Sequence, residues 1–301
     1  MYEVIAQLIV NGIIAGSIYA LVALGLSLVY GILHFLNFAH GEMAMAGAYA
    51  FFFFFIIFQW PLWLSFILAI AAVAVLGMII EKTTFKPVRN APPLTSLITS
   101  IGVSLLLQSL ALIAFGANIR TVRSGFIPKG REVLGVIITD TQILIIVVAV
   151  VLMLGLYFFL KYAKIGKAIR AVSDNKQVAA ILGISPNKVI VTIFALGSAL
   201  AAIAGILVAY EQNLEPTMGV MLGIKAFAAI ILGGVGSIPG AVLGGYAIGL
   251  AENLGIGISI AGYAVPSGYK DAIAFIIMII VLLFMPNGIM GTKAEEDVRK
   301  A

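Results

Sequence analysis

Charged side chains are missing from long stretches of the chain. None occurs between Glu42 and Glu81, Arg89 and Arg120, Asp140 and Lys161, Lys188 and Glu211, Lys225 and Glu252, or Asp271 and Lys293. Each gap can hold the roughly 20 apolar residues with which a helix crosses about 30 Å of hydrocarbon. The runs are continuously apolar, which selects helices; barrel strands would alternate over about ten residues. The pattern predicts spans over Val4–Leu33, Glu42–Phe58, Leu62–Glu81, Leu94–Gly116, Thr141–Leu160 and Val189–Tyr210, and a last helix over Lys270–Met285. Between the last two, the apolar residues 226–232 meet the run from Gly233 to Gly240, and a second apolar piece continues to Leu254. This reads as two short helices about a glycine-rich break. The predicted fold is an all-α polytopic membrane protein: one transmembrane domain over residues 1–301, a bundle of eight or nine segments with a glycine-rich broken helix region.

Punctuation supports these boundaries. Gln59-Trp60-Pro61, with Trp63, marks an interfacial turn, because tryptophan favours the headgroup region and proline a break. Pro92-Pro93 closes a short basic loop, and Pro286-Asn287-Gly288 stops the last helix. The polar connection 117–140 is read as an external loop, with Phe126-Ile127-Pro128 and Val133–Ile138 as a candidate strand pair. Gly16-Ser17-Ile18 and Gly236-Ser237-Ile238 each precede an apolar stretch, a hint of a duplicated half.

Composition agrees with the pattern: 62% hydrophobic and 10% charged residues, where soluble domains carry roughly 45–50% and about 25%. The net charge of +5 needs no nucleic-acid partner, since Lys and Arg collect in cytoplasmic loops. Twelve of the 18 fall in 82–93, 161–188 and the tail, which places those segments inside, the amino terminus outside and the tail 287–301 inside. Arg120, Arg123, Lys129, Arg131, Lys225 and Lys270 then lie outside or at the outer boundary. No cleaved signal peptide is expected, because the first basic residue is Lys82. With no cysteine, the chain has no disulfide or thiolate metal site.

Candidate chemistry is concentrated in three places. In the inner segment 161–188, Asp174 and Gln177 have capping-box spacing, Gly183 is a stop, and a short helix Asn175–Leu182 is predicted between them. Ser185-Pro186 then starts the next span. Such a helix either lies on lipid or docks into a groove of a cytoplasmic partner. In Asn37-Phe38-Ala39-His40-Gly41-Glu42, a titratable pair stands beside a membrane boundary. Glu42 either caps the second helix or belongs to a gate or path. The run Gly233-Gly234-Val235-Gly236 is either a packing device or a stretch of exposed backbone lining a route. Gly236, Gly240 and Gly244, like Gly12 and Gly16, are spaced for close helix contact. Glu252 is either interfacial or path-facing, and Phe51–Phe55 is read as packing or lipid contact. No metal-ligand set, catalytic constellation or G-x-x-x-x-G-K-[ST] loop is present in the sequence.

Three stretches carry a resemblance: Tyr19-Ala20-Leu21 through Asn37-Phe38-Ala39-His40-Gly41-Glu42; Leu232-Gly233-Gly234-Val235-Gly236-Ser237-Ile238-Pro239-Gly240; and Met285-Pro286-Asn287-Gly288. They resemble the branched-chain amino-acid permease family in its LivH-type subunit, over essentially the whole chain. The alanine-rich run closed by Gly183 loosely resembles the segment by which ABC importer permeases contact their ATPases. The resemblance implies a transport subunit, not an enzyme, in a bacterial inner membrane. Its implied partners are the lipid bilayer, a second related permease subunit, two cytoplasmic ATP-binding subunits that hold ATP and Mg, and a periplasmic solute-binding protein. This chain itself needs no cofactor. On that reading Arg170, Asp174, Gln177, Ala179, Ala180 and Gly183 are the coupling residues, and Asn37, His40, Glu42, Gly233, Gly234 and Gly236 belong to the path or gate. A urea or short-amide permease shares much of the pattern. A stand-alone channel or ion-coupled carrier is the rival from another class; a carrier would be expected to show charged or carboxamide groups for coupling ions, and helices three to six show almost none, with Gln108 the main polar exception.

Overall fold

A computed structural model of the chain describes residues 2–122, 130–133, 135–257, 259–260, 263–264, 266–285 and 287–290. The helices follow the apolar runs. They are α1 (Tyr2–Leu33), α2 (His40–Phe52, continued by a π-helical turn Phe53–Ile57), α3 (Leu62–Ile80), α4 (Lys86–Val88) and α5 (Pro93–Phe115). After the hairpin β1 (Gly130–Val133) and β2 (Val136–Thr139) come α6 (Asp140–Tyr162), α7 (Lys164–Asp174), α8 (Lys176–Ile181) and α9 (Pro186–Glu211). The chain closes with α10 (Met218–Gly233), α11 (Ile238–Gly257) and α12 (Lys270–Phe284). Among the described residues, six helices are long and apolar enough to cross a membrane, and seven if α10 and α11, which meet at 117°, count as one bent span. At 15 residues, α12 is shorter than the roughly 20 a straight crossing uses.

Burial separates two layers. The apolar stretches of α1 and α9 are 89% and 72% buried, so these helices form the core with α2, α10 and α11. The corresponding stretches of α3, α5 and α6 are 28%, 11% and 22% buried, and present Leu and Ile outward as lipid-facing helices do. The closest seam joins α1 to α11, antiparallel, where Gly16 lies against Tyr246 and Gly245, and Gly249 lies against the Gly16 backbone. Without hydrophobic drive inside lipid, such small-residue contact is what holds helices together. Gly240 and Gly244 pack on α10 instead, and Gly236 sits in the elbow between α10 and α11, not in a helix seam.

The two ends differ in chemistry. At one, Gln7 exchanges both side-chain bonds with the Ile137 backbone (3.0 and 3.1 Å), Arg120 pairs with Leu214 backbone to backbone, and Thr139 with Gln142 forms a capping box on α6. The opposite end holds Lys82, Lys86, Arg89 and the segment 161–188. There α3 does not stop at Glu81. It continues as a π-helical turn, Glu81–Phe85, into α4, because fully buried Glu81 pairs with Arg89 within the same piece of chain. The hairpin pairs 130–133 with 136–139, and Phe126–Pro128 lies outside the described residues, as do most of the tail and Pro286. The two Gly-Ser-Ile stretches have unlike roles: Gly16–Ile18 is mid-helix in α1, whereas Gly236–Ile238 leads into α11.

Candidate translocation and coupling site

The second helix starts far from the membrane boundary assigned to it. After α1, His34 adopts φ 56° and the chain turns back into the bundle. His40 then lies against Gly25 and Gly197, the latter near the middle of α9, and Glu42 bonds Ser104 at the middle of α5 (Oγ–Oε1 3.2 Å). The amino end of α2 therefore stands about halfway across. Irregular backbone at this depth must be satisfied internally. Ser100 Oγ accepts from the Phe38 amide (3.2 Å) and faces the Leu36 carbonyl (3.3 Å), while Asn37 Oδ1 accepts from the Ala39 amide (3.1 Å). Ala39 occupies the cap position, and Glu42 stands in the first turn of α2, where a negative charge is favourable. Its carboxyl is fully buried, one oxygen on Ser104 and the other, against Gly219 in the first turn of α10, with no hydrogen-bond partner. His40 Nε2 is likewise unpartnered, while its ring bonds the Val22 carbonyl. Gly41 touches the Gly219 and Gly223 backbones, where a side chain has no room. Beside it Phe38, 37% exposed, packs with its ring tilted against Phe227 (centroids 5.8 Å apart) over a small gap lined by Leu26, Leu36, Asn37 and Gly223. The larger groove, about 400 Å³ between α2, α3 and α5, is lined by Tyr49, Phe53, Leu107 and other apolar side chains, and carries no charge for a zwitterion.

Gly233, Gly234 and Gly236 do not join Asn37, His40 and Glu42. They form the elbow, with Gly234 at φ 106° and Gly236 at φ 82°, conformations that L side chains rarely adopt. Ser237 Oγ accepts from the Gly240 amide (3.1 Å) and caps α11. The Leu232 and Gly233 carbonyls accept from Ile289 and Met290 (both 2.9 Å), so the chain beyond α12 closes the end of α10. The elbow lies at the basic end, with Gly236 beside Gly31, whose carbonyl also accepts from Ser173 of α7.

In the inner segment the structure has two helices where one was expected. Asp174 ends α7, and Asn175 is the cap of α8, its Oδ1 accepting from the Gln177 (2.9 Å) and Val178 (3.0 Å) amides. The Asp174–Gln177 capping box is thus replaced by an Asn cap one residue later, because Asp174 continues the amphipathic α7, which buries Ile169 and Val172. Gly183, at φ 82°, terminates α8. Arg170 holds the end of α6 by bonding the Leu160 and Lys161 carbonyls. Ala179 is buried, while Gln177, Ala180 and Asp174 face outward. Val178, Ile181 and Leu182 are 51%, 84% and 72% exposed. Burial and the Arg89 guanidinium hold the Lys176 ammonium below the usual lysine range, and Arg89 also bonds Asn187 (2.8 Å).

One cluster escaped the sequence reading. Lys225, assigned to the outer boundary, lies among four helices with its side chain 11% exposed. Its Nζ bonds Tyr19 Oη (3.0 Å), Glu252 (3.2 Å) and Asp271 Oδ1 (2.7 Å); Tyr19 also donates to Glu252 (2.8 Å), and Lys270 bonds Asn253 (3.0 Å). A lone lysine and a lone glutamate inside apolar runs were the available signal, since ionisable residues in spans pair with one another.

Core helices that begin at mid-depth and bend at an elbow, with buried polar groups inside, define a polytopic membrane permease. The family model described as "Branched-chain amino acid transport system / permease component" matches residues 8–282, and the chain belongs to that family. It is 37% identical to the high-affinity branched-chain amino acid transport system permease protein BraD of Pseudomonas aeruginosa, covering 99% of both chains. Identity to the corresponding permease protein LivH of Escherichia coli K12 is 38%, over 97% of both. A solved structure, PsaBC from Streptococcus pneumoniae in complex with Fab, aligns over 95% of this chain and 91% of that one, with a TM-score of 0.45 and 15% identity.

Proposed function

We propose that this chain is a membrane permease subunit of a binding-protein-dependent ABC importer that moves leucine, isoleucine and valine inward by alternating access. The carrying observation is its end-to-end match with permeases of high-affinity branched-chain amino acid transport systems. ATP and Mg belong to two partner ATPases, because the chain has no phosphate-binding loop. The basic end is cytoplasmic by the positive-inside rule; the chain crosses from Leu214 at the outer end through α10 to the elbow, back through α11, and again through α12 with the residues after it, giving nine crossings with the amino terminus periplasmic and the tail cytoplasmic. A related permease completes the path and a periplasmic protein delivers the solute. At the cytoplasmic end α8 offers Val178, Ile181 and Leu182 to a groove of an ATPase, the arrangement of an amphipathic helix docked by its apolar face. Asp174, Gln177, Ala180 and Gly183 border that face, and Ala179 and Arg170 hold the segment on the bundle. Asn37, His40 and Glu42 stand on the path, and the glycine elbow relays motion from α7.

The test is leucine uptake into proteoliposomes holding this chain with its permease partner, ATPases and binding protein. Uptake that requires ATP on the ATPase side, and is lost in Ile181→Asp/Leu182→Asp with the membrane subunits still assembled, is the expected result. ATP-independent flux through this chain alone would instead make it a channel or carrier. Hydrolysis stimulated only by a binding protein loaded with urea or a short amide keeps the mechanism and changes the solute.

A further inference from the structure

Three side-chain ion pairs besides the Lys225–Glu252 contact are present among the described residues, and they are not alike. Arg131–Asp140 is exposed on both sides, and Arg89–Glu81 lies at the basic end with Glu81 fully buried. Lys225–Asp271 combines a base inside the bundle, 11% exposed, with an acid that is 42% exposed. Lys225 has a second acid, Glu252, which is fully buried and held by Tyr19. Of its two carboxylates, one is therefore locked and the other can leave. Asp271 stands in the first turn of α12, a helix that buries only Ala274 and Val281 among its described side chains. Lys270, on Asn253, balances the charge of the cluster, which totals zero with Glu252 and Asp271.

A zwitterion crossing a low-dielectric bundle needs a partner for each of its charges, because burying either alone is prohibitive. We propose that Lys225 and Asp271 form an exchangeable zwitterion site, in which the α-carboxylate of a passing amino acid takes the place of Asp271 on Lys225 and its α-ammonium pairs with the released Asp271. Carboxylate replaces carboxylate, so Lys225 keeps its coordination and the net buried charge stays zero throughout. Glu252 and Tyr19 hold the ammonium of Lys225 in position while its third partner changes. An uncharged amide can replace neither partner, so the pair selects zwitterions over urea-like solutes within the permease itself. The inference rests on the import function proposed above and deepens it by assigning the residues that meet the solute's charged ends.

The experiment compares wild type, Asp271→Asn and Asp271→Glu in the complete importer, reading leucine uptake against the concentration of loaded binding protein, ATP hydrolysis, and co-purification of the subunits. In Asp271→Asn the maximal uptake rate falls about tenfold or more while the half-saturating concentration of loaded binding protein, basal hydrolysis and assembly stay at wild-type values. Asp271→Glu, which restores the carboxylate, recovers uptake to within about threefold. Asp271→Asn uptake within about twofold of wild type overturns the inference. So does a parallel fall of uptake and assembly that Asp271→Glu does not relieve, since the pair is then only a structural pin. Absence of ATP-driven leucine uptake in the wild type fails the import function itself, a different result from an active wild type with an active Asp271→Asn.

Discussion

Two interruptions of regular helix lie inside this bundle, and they are built from opposite materials. The one before α2 carries side chains: Asn37, His40 and Glu42, all buried, at half depth between Gly25, Gly197 and Ser104. The elbow between α10 and α11 carries almost none, being Gly234, Val235, Gly236 and Ser237 at the basic end, next to Gly31 and α7. The first brings polar groups to a depth where lipid supplies no partners, and the Ser100 hydroxyl holds its backbone. The second changes direction by 117° through two glycines with positive φ, and the Leu232 and Gly233 carbonyls just before it are taken by the chain beyond α12. A polar break at mid-depth suits contact with a solute, and a glycine elbow at the edge suits transmission of movement from a cytoplasmic partner.

Substitutions can break this contrast, and their expected effects descend in order. Gly41→Leu should be the most damaging. Its side chain would run into the Gly219 and Gly223 backbones, which cannot rotate away, and a cost above about 3 kcal/mol is expected, read as loss of monodisperse protein in detergent. Glu42→Gln keeps the shape and removes the charge. Thermal stability is expected to stay equal or rise, because one carboxyl oxygen has no partner, while uptake in the reconstituted importer falls about tenfold. Unchanged uptake would demote the first break to packing. Gly236→Ala meets no atom closer than 3.9 Å, so only its φ of 82° opposes it. A loss of about 1–2 kcal/mol in denaturation follows, with assembly retained. Ser237→Ala removes the hydroxyl that accepts from the Gly240 amide and should cost about 0.5–1 kcal/mol, the smallest effect of the four.

The boundaries of α1, α5 and α6 and the start of α3 were legible within a few residues, because an apolar run of sufficient length forms a helix in lipid whatever surrounds it. Gly183 as a stop and Pro186 in the first turn of α9 were legible for the same local reason. The cap of α8 was misplaced by one residue, since Asp174 and Asn175 are both good caps and only the packing of Ile169 and Val172 in α7 decides between them. Asn37, His40 and Glu42 were recognised as a group, but their depth was not. Gly233, Gly234 and Gly236 were recognised as a break without any sign that they lie apart from that group.

The sequence by itself determined the class of molecule, because hydrophobic length and the scarcity of charge are properties of each segment alone and set which segments enter the membrane. The three stretches that resemble the branched-chain amino-acid permeases pointed to a transport permease, and the match of the family over residues 8–282 bears that out. Only the tertiary structure decided where charge is stored. Lys225 meets Tyr19, 206 residues away, and Glu252, 27 residues away. Read along the chain, each of these residues is an isolated polar group in an apolar run. A lone ion in low dielectric is tolerated only when a counter-charge reaches it, and that partner is a matter of which helices pack together, not of which residues are neighbours in sequence.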